Sequence, residues 1–112
     1  MVEIRIKPLS VNAAFFGKHI KTSECRAFEE ELWYKLPSEP PFKIKKKGKL
    51  KVEYIFGIPK RQDMFNCEKI FTDVLQKKYD FDDRNIYAAT VTKVDAKKGE
   101  EFVMFTILPY EI

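Results

Sequence analysis

The chain contains few of the residues that support thiol, metal or imidazole chemistry. Its 112 residues include two cysteines, Cys25 and Cys67, and a single histidine, His19. The cysteines lack CxxC spacing, so the sequence argues against a zinc site. Both cysteines fall on apolar positions of predicted helices, which favours buried, reduced thiols. No carboxylate can be assigned to His19, so it is a poor candidate for a general base.

Long apolar segments are also absent. No run reaches the roughly 18 apolar residues of a membrane-spanning helix, so neither such a helix nor a membrane partner is expected. Residues 1–6 alternate polar and apolar side chains, unlike the apolar centre of a signal peptide, and we expect a cytoplasmic protein. No repeat or linker interrupts the chain, and 45% of its residues are hydrophobic. We therefore expect one domain that spans residues 1–112.

Positive charge is concentrated rather than abundant. The formal net charge is only +4, but one short segment carries Lys43, Lys45, Lys46, Lys47, Lys49 and Lys51. This run favours a polyanionic partner, because lysines near phosphates release bound counterions. A solvated loop that leads into a strand explains the run equally well, and the sequence leaves both explanations open.

Periodicity predicts an α+β fold with the order β-α-β-α-β-β. Apolar residues alternate in four predicted strands and recur at helical spacing in two predicted helices. The strands are Val2–Lys7, Lys49–Ile58, Ile86–Val94 and Glu101–Leu108; the helices run from Thr22 or Ser23 to Leu36 and from Asp63, as N-cap, to Lys78. Residues 9–20 read as a loop, and Gly99 between the last two strands predicts a hairpin. The result is a small sheet with two helices packed on it.

The second predicted helix carries an aromatic residue on its polar face. Its core face consists of apolar residues at helical spacing: Cys67, Ile70, Phe71, Val74 and Leu75. Phe65 falls on the opposite face, in line with Lys69 and Thr72. A structural origin (a distorted first turn, packing under a loop or a subunit contact) and a role in ligand binding both stay open for Phe65.

Charged residues flank the same helix at both ends. Lys60, Arg61 and Asp63 precede it, and Asp82 and Asp83 follow it. Each aspartate has an ordinary explanation as a helix cap or a turn residue. In combination, such residues also supply the carboxylates and cations on which magnesium-dependent cleavage of phosphodiesters relies.

These segments resemble the RusA family of Holliday-junction resolvases. Asp63–Lys69 is similar to the family pattern D-x-D-N-x-x-K, Asp73–Leu75 to D-x-L, and Asp82–Ile86 to D-D-x-x-[VI]. A weaker likeness extends to Ser10–Asn12, to the start of the first helix and to residues 93–107. The resemblance implies a RusA-like homodimer that binds four-way DNA junctions and nicks them with Mg²⁺. Such endonucleases act in DNA recombination and repair and often belong to phages or prophages.

The resemblance and the charged segments described above together predict roles for single residues. Asp63 matches the first metal-binding aspartate, Asp83 the third, and Lys69 the catalytic lysine, with Asp82 as a substitute metal ligand. The DNA-binding set is polar or basic: Asn12, Lys45, Lys46, Lys47, Lys60, Arg61 and Asn66. Phe65 occupies the position of the second aspartate, and a phenyl ring cannot ligate a metal. We therefore expect a RusA-like junction-binding protein whose cleavage is weakened or lost. The alternative is an inactive RusA-fold protein that binds branched DNA or a protein partner through the face around Phe65.

Overall fold

A mixed four-stranded sheet forms the centre of the fold, and the computed structural model describes residues 1–16, 20–44 and 47–111. Along the chain the elements are β1 (Val2–Ile4), α1 (Val11–Ala14), β2 (Phe15–Phe16), β3 (Ile20–Lys21), α2 (Ser23–Lys35), β4 (Leu50–Ile58), α3 (Phe65–Tyr79), a 3₁₀ turn (Asp83–Asn85), β5 (Ile86–Asp95) and β6 (Phe102–Pro109). The order in the sheet is β1-β6-β4-β5, and β2 pairs with β3 separately. The α+β class and the order of the major elements are as predicted.

The two long helices begin and end for different local reasons. The Thr22 side chain accepts a hydrogen bond from the Cys25 N–H at 3.0 Å, which caps α2 as predicted. Helix α3 begins at Phe65 rather than directly after Asp63, and it ends at Asp80 in the left-handed conformation with φ 54°. In the described part of the chain, no helix has both the length and the apolar character needed to cross a membrane.

The core lies between the sheet and the helices. The apolar residues at helical spacing along the first predicted helix are buried, namely Cys25, Phe28, Leu32 and Leu36, as is the whole predicted core face of α3. On β4, alternate residues from Leu50 to Ile58 are buried. Phe71 lies at the centre of an edge-to-face aromatic cluster, with ring centroids 5.1 Å from Tyr54, 5.8 Å from Phe56 and 5.5 Å from Phe105. The prediction of buried, unpaired cysteines is also confirmed.

The predicted hairpin between the last two strands is wrong. Strand β5 pairs in parallel with β4, whereas β6 pairs antiparallel with both β4 and β1. The Ala96 N–H donates to the Ile58 carbonyl at 3.0 Å, because the connecting segment passes over the end of β4. The two most apolar strands, β6 and β4, thus take the interior places, and the more polar β5 lies at an edge.

Three smaller predictions also need correction. The first strand covers only Val2–Ile4, and the segment read as a loop contains α1, β2 and β3. Thr72 does not lie on a polar face, since it is buried and its hydroxyl is 2.9 Å from the Tyr54 hydroxyl. The proposals for His19, Lys45 and Lys46 lie outside the described residues.

Candidate functional site

Asp63 and Phe65 are held together at the start of α3. The Asp63 carboxylate accepts a hydrogen bond from the Phe65 N–H at 2.9 Å, and the Asp63 carbonyl accepts one from the Asn66 N–H at 3.2 Å. The carboxylate is therefore fixed where unpaired helix N–H groups and the helix dipole favour negative charge. Phe65 is 67% exposed, which confirms that it does not belong to the core.

Hydrogen bonds to Lys93, Pro8 and Cys67 hold the loop before Asp63 in place. The Lys93 ammonium donates to the carbonyls of Lys60 at 2.6 Å and Gln62 at 2.7 Å. The Gln62 amide in turn donates to the Pro8 carbonyl and to the Cys67 sulfur, both at 3.1 Å. The exposed side chains of Lys60 and Arg61 thus extend from a backbone with fixed geometry.

Other predicted polar residues lie at the same end of the molecule. Lys69 follows one turn after Phe65, is largely exposed, and has its ammonium 3.3 Å from the Asp73 carboxylate. Asn66 is half-buried in the first turn of α3. Asn12 is exposed on α1, which contacts α3, and the Gln62–Pro8 hydrogen bond brings the preceding segment to the loop. The structure therefore brings Asn12, Lys60, Arg61, Asp63, Phe65, Asn66 and Lys69 to one region, which we call the α3 N-terminal surface.

Asp82 and Asp83 lie at the other end of α3. This helix is fifteen residues long, which corresponds to about 22 Å. The strands give the same placement, because Leu50 pairs with Ile86 near Asp83, whereas Ile58 pairs with Asp95 near the loop that leads to Asp63. Asp63 and Asp83 are thus not brought together in this chain.

Asp82 is already engaged by Arg84. Its carboxylate accepts hydrogen bonds from the Arg84 backbone N–H and guanidinium, each at 2.9 Å, and these bonds lower the pKa of Asp82. The Asp83 N–H donates to the Gln76 side chain at 2.9 Å. Both arrangements are those of a capped turn, which is the ordinary explanation for the pair.

The donor set of this chain does not fit a magnesium ion. Magnesium prefers several oxygen ligands, with one or two carboxylates from the protein. Phe65 supplies no ligand, Asp83 lies a helix length away from Asp63, and Asp82 is paired with Arg84. Within residues 1–16, 20–44 and 47–111, no three acidic, histidine or cysteine side chains form a group that could hold a metal.

Two features of the structure have no clear signal in the sequence. Lys93 supports the loop of Lys60 only because β5 lies beside β4, where Lys93 pairs with Phe56. Tyr87 and Tyr110 stack on each other although 23 positions separate them, since their strands meet at the start of β4. A correct sheet order is needed before either contact can be inferred.

Comparison with known proteins does not assign the chain. No protein-family model matches it. No curated protein matches its sequence either. The function must therefore be argued from the residues and their geometry.

Proposed function

We propose that this chain is a RusA-like protein that binds four-way DNA junctions as a homodimer, with magnesium-dependent cleavage that is weakened or lost. One observation carries the proposal. The α3 N-terminal surface combines exposed cations with a fixed carboxylate, Asp63, while Phe65 occupies the neighbouring position from which a second carboxylate would act.

The basic residues of this surface support binding to DNA. Lys60 and Arg61 are exposed on a loop that Lys93 holds in place, and Lys69 lies one helical turn further on. Cations that are positioned in advance lose little conformational freedom when they contact phosphates. Each such contact releases counterions, so the affinity for junctions should fall steeply as salt concentration rises.

The acidic residues support weak or absent cleavage. A metal-dependent nuclease places oxygen ligands around the ion and thereby stabilises charge on the attacked phosphate. The Phe65 ring puts apolar bulk next to Asp63 instead. Loss of one metal carboxylate costs about 4 kcal/mol of transition-state stabilisation, or roughly a thousandfold in rate.

The test compares wild type with Phe65→Asp on a fluorescently labelled four-way junction in magnesium. We expect both proteins to bind the junction, and Phe65→Asp to cut it about a hundredfold faster or more. Phe65→Asn is the matched control, because it removes the ring without adding a carboxylate. Asp63→Asn in the Phe65→Asp background should abolish the gained cleavage.

Binding is measured separately, in EDTA and over a range of salt concentrations. Arg61→Ala should weaken junction binding and reduce its dependence on salt. If wild type shows no preference for the junction over linear duplex, the proposal is wrong. Efficient cutting of the junction by wild type would contradict the proposal that cleavage is weakened or lost.

A second function is favoured by the exposure of Phe65 alone. An aromatic ring that is 67% exposed on a surface with exposed cations resembles the anchor of a protein–protein contact. In that case the α3 N-terminal surface binds an acidic protein partner instead of DNA. Weak, non-specific DNA binding by wild type that Arg61→Ala leaves unchanged would favour this function over the first.

A further inference from the structure

A second aromatic and basic surface lies at the far end of the sheet from Asp63. The rings of Tyr87 and Tyr110 stack with their centroids 5.8 Å apart and their planes 20° from parallel. The Lys49 ammonium lies 4.9 Å from the centroid of the Tyr87 ring. We call Tyr87, Tyr110, Lys47 and Lys49 the tyrosine–lysine surface.

The sheet topology assembles this surface. Leu50, the first residue of β4, pairs with Ile86 of β5 on one side and with Pro109 of β6 on the other. Tyr87 and Tyr110 each follow one of these two partners by a single residue. The Tyr110 N–H donates to the Lys49 carbonyl at 2.9 Å, which fixes the lysine segment beside the rings.

The exposure of the surface indicates a ligand rather than a packing role. Tyr87 is 57% exposed, so much of its ring remains in water although Tyr110 and Lys49 contact it. Lys43, Lys47 and Lys49 are exposed nearby. A hollow of about 200 Å³ beside Lys49 is lined by Lys43, Gly48, Lys49, Leu50 and Pro109.

We propose that the tyrosine–lysine surface binds an unpaired segment of DNA. Bases stack on the tyrosine pair, and Lys47 and Lys49 pair with the flanking phosphates. The arriving phosphate draws the Lys49 ammonium away from the Tyr87 ring and opens the ring face that it covers. Duplex DNA cannot bind in this way, because its base faces are already stacked.

Charge complementarity selects a nucleic acid over a protein partner. Lys49 lies over the Tyr87 ring and the exposed Lys47 precedes it by two residues, whereas a protein contact of this size would bury the tyrosines and deplete lysine at its centre. This site uses none of the residues of the α3 N-terminal surface. The proposal therefore goes beyond junction binding and does not depend on it.

The test measures fluorescence anisotropy of a labelled oligothymidylate of about 12 nucleotides, a length within the range that single-strand binding surfaces cover. Tyr87→Ala should weaken binding about tenfold or more, as expected when one stacked base loses its platform. Tyr87→Phe keeps the ring and should bind like wild type. Tyr34→Ala is the matched control, since Tyr34 is 76% exposed on α2, outside this surface.

Two further variants separate stacking from charge. Tyr110→Ala should weaken binding as Tyr87→Ala does, while Lys49→Ala should weaken it and also reduce its dependence on salt. Circular dichroism and urea unfolding confirm that each variant is folded. If Tyr87→Ala and Tyr110→Ala are both folded and bind like wild type, the proposal is overturned.

Failure of the tyrosine–lysine proposal can be distinguished from failure of the junction proposal. Arg61→Ala should weaken binding to the four-way junction but not to the oligothymidylate. If wild type does not recognise the junction and oligothymidylate binding still requires Tyr87, only the junction proposal fails. If junction binding depends on Arg61 and oligothymidylate binding ignores both tyrosines, only the tyrosine–lysine proposal fails.

Discussion

Among single residues, a chain of side-chain hydrogen bonds links Tyr54 of β4 to Thr72 and Glu68 of α3. The Thr72 hydroxyl donates to the Glu68 carboxylate at 3.0 Å and lies 2.9 Å from the Tyr54 hydroxyl. A threonine hydroxyl has one hydrogen, so Tyr54 must be the donor in the second bond. Burial raises the pKa of Tyr54, which keeps this donor protonated. Helical phase predicted a polar face for Thr72, but the residue is buried, and Tyr54 and Glu68 satisfy its hydroxyl.

Replacement of Thr72 tests this chain. In Thr72→Val the buried Tyr54 hydroxyl loses its acceptor, so the free energy of unfolding should fall by about 1–3 kcal/mol. The double variant with Tyr54→Phe removes both partners and should recover much of the loss. Urea unfolding of the two single variants and the double variant gives the coupling energy. A coupling energy near zero would contradict the hydrogen bond.

Lys93 acts on the loop before α3 through its ammonium. Lys93→Met keeps most of the side-chain volume but removes the donor to the carbonyls of Lys60 and Gln62. The loop should then open more often, and trypsin should cut after Lys60 and Arg61 several times faster. Mass spectrometry of limited digests measures these cuts against those after Lys97 and Lys98. An equal increase at both places would indicate general destabilisation instead.

At the level of elements, the contact between β4 and β6 requires a glycine. Gly57 pairs with Phe102, and a Cβ atom built on Gly57 would lie 2.2 Å from the Phe102 ring. The ring therefore covers the space above the glycine. The Arg5 guanidinium also contacts this ring, at 5.6 Å from its centroid.

Gly57→Ala should accordingly destabilise the fold. The added methyl group forces the Phe102 ring aside, at a cost of about 1–3 kcal/mol in the free energy of unfolding. Phe102→Leu in the same chain makes room and should reverse part of that loss, although it is destabilising by itself. Thermal and urea unfolding of the four proteins provide the measurement. No rescue by Phe102→Leu would rule out the steric explanation.

Elements with strong local signals are those that the sequence predicted well. Both long helices and three of the four main strands match within a few residues, because their apolar spacing and caps are local properties. The pairing of strands is not local. Gly99 and a short connection favoured a hairpin, yet the apolar alternation of β4 makes it the better central strand, with β5 and β6 on either side. The contacts of Lys93 and of the two tyrosines follow from that order, so they could not be predicted.

For the whole molecule, the same topology divides the predicted site. The residues from Asp63 to Asp83 form one predicted cluster in the sequence. In the structure, helix α3, which is about 22 Å long, separates Asp63 from Asp83. Residues close to Asp63 in sequence are close to it in space, whereas Asp82 and Asp83 belong to the end that carries the lysine segment. The molecule therefore presents two basic regions at opposite ends of one sheet, and we propose a separate DNA contact for each.

The stability of the whole molecule should decrease at alkaline pH. Burial raises the pKa of the Cys25 and Cys67 thiols above 9.0, and it raises the pKa of Tyr79 from 10.0 to about 12 and that of Tyr54 further. Unfolding restores the ordinary values, so above about pH 9 the unfolded chain binds fewer protons than the folded chain. The free energy of unfolding then falls as pH rises, whereas below about pH 9 this contribution is fully present. Urea midpoints measured between about pH 8 and pH 12 should show the decline.

The contribution of Tyr79 can be tested by substitution. Tyr79→Phe removes one titrating hydroxyl and its 2.9 Å hydrogen bond to the Pro37 carbonyl. This variant should therefore have a lower urea midpoint at neutral pH and a shallower alkaline decline. The exposed Tyr34→Phe is the control, and a decline that is equally steep in all three proteins would show that Tyr79 does not contribute.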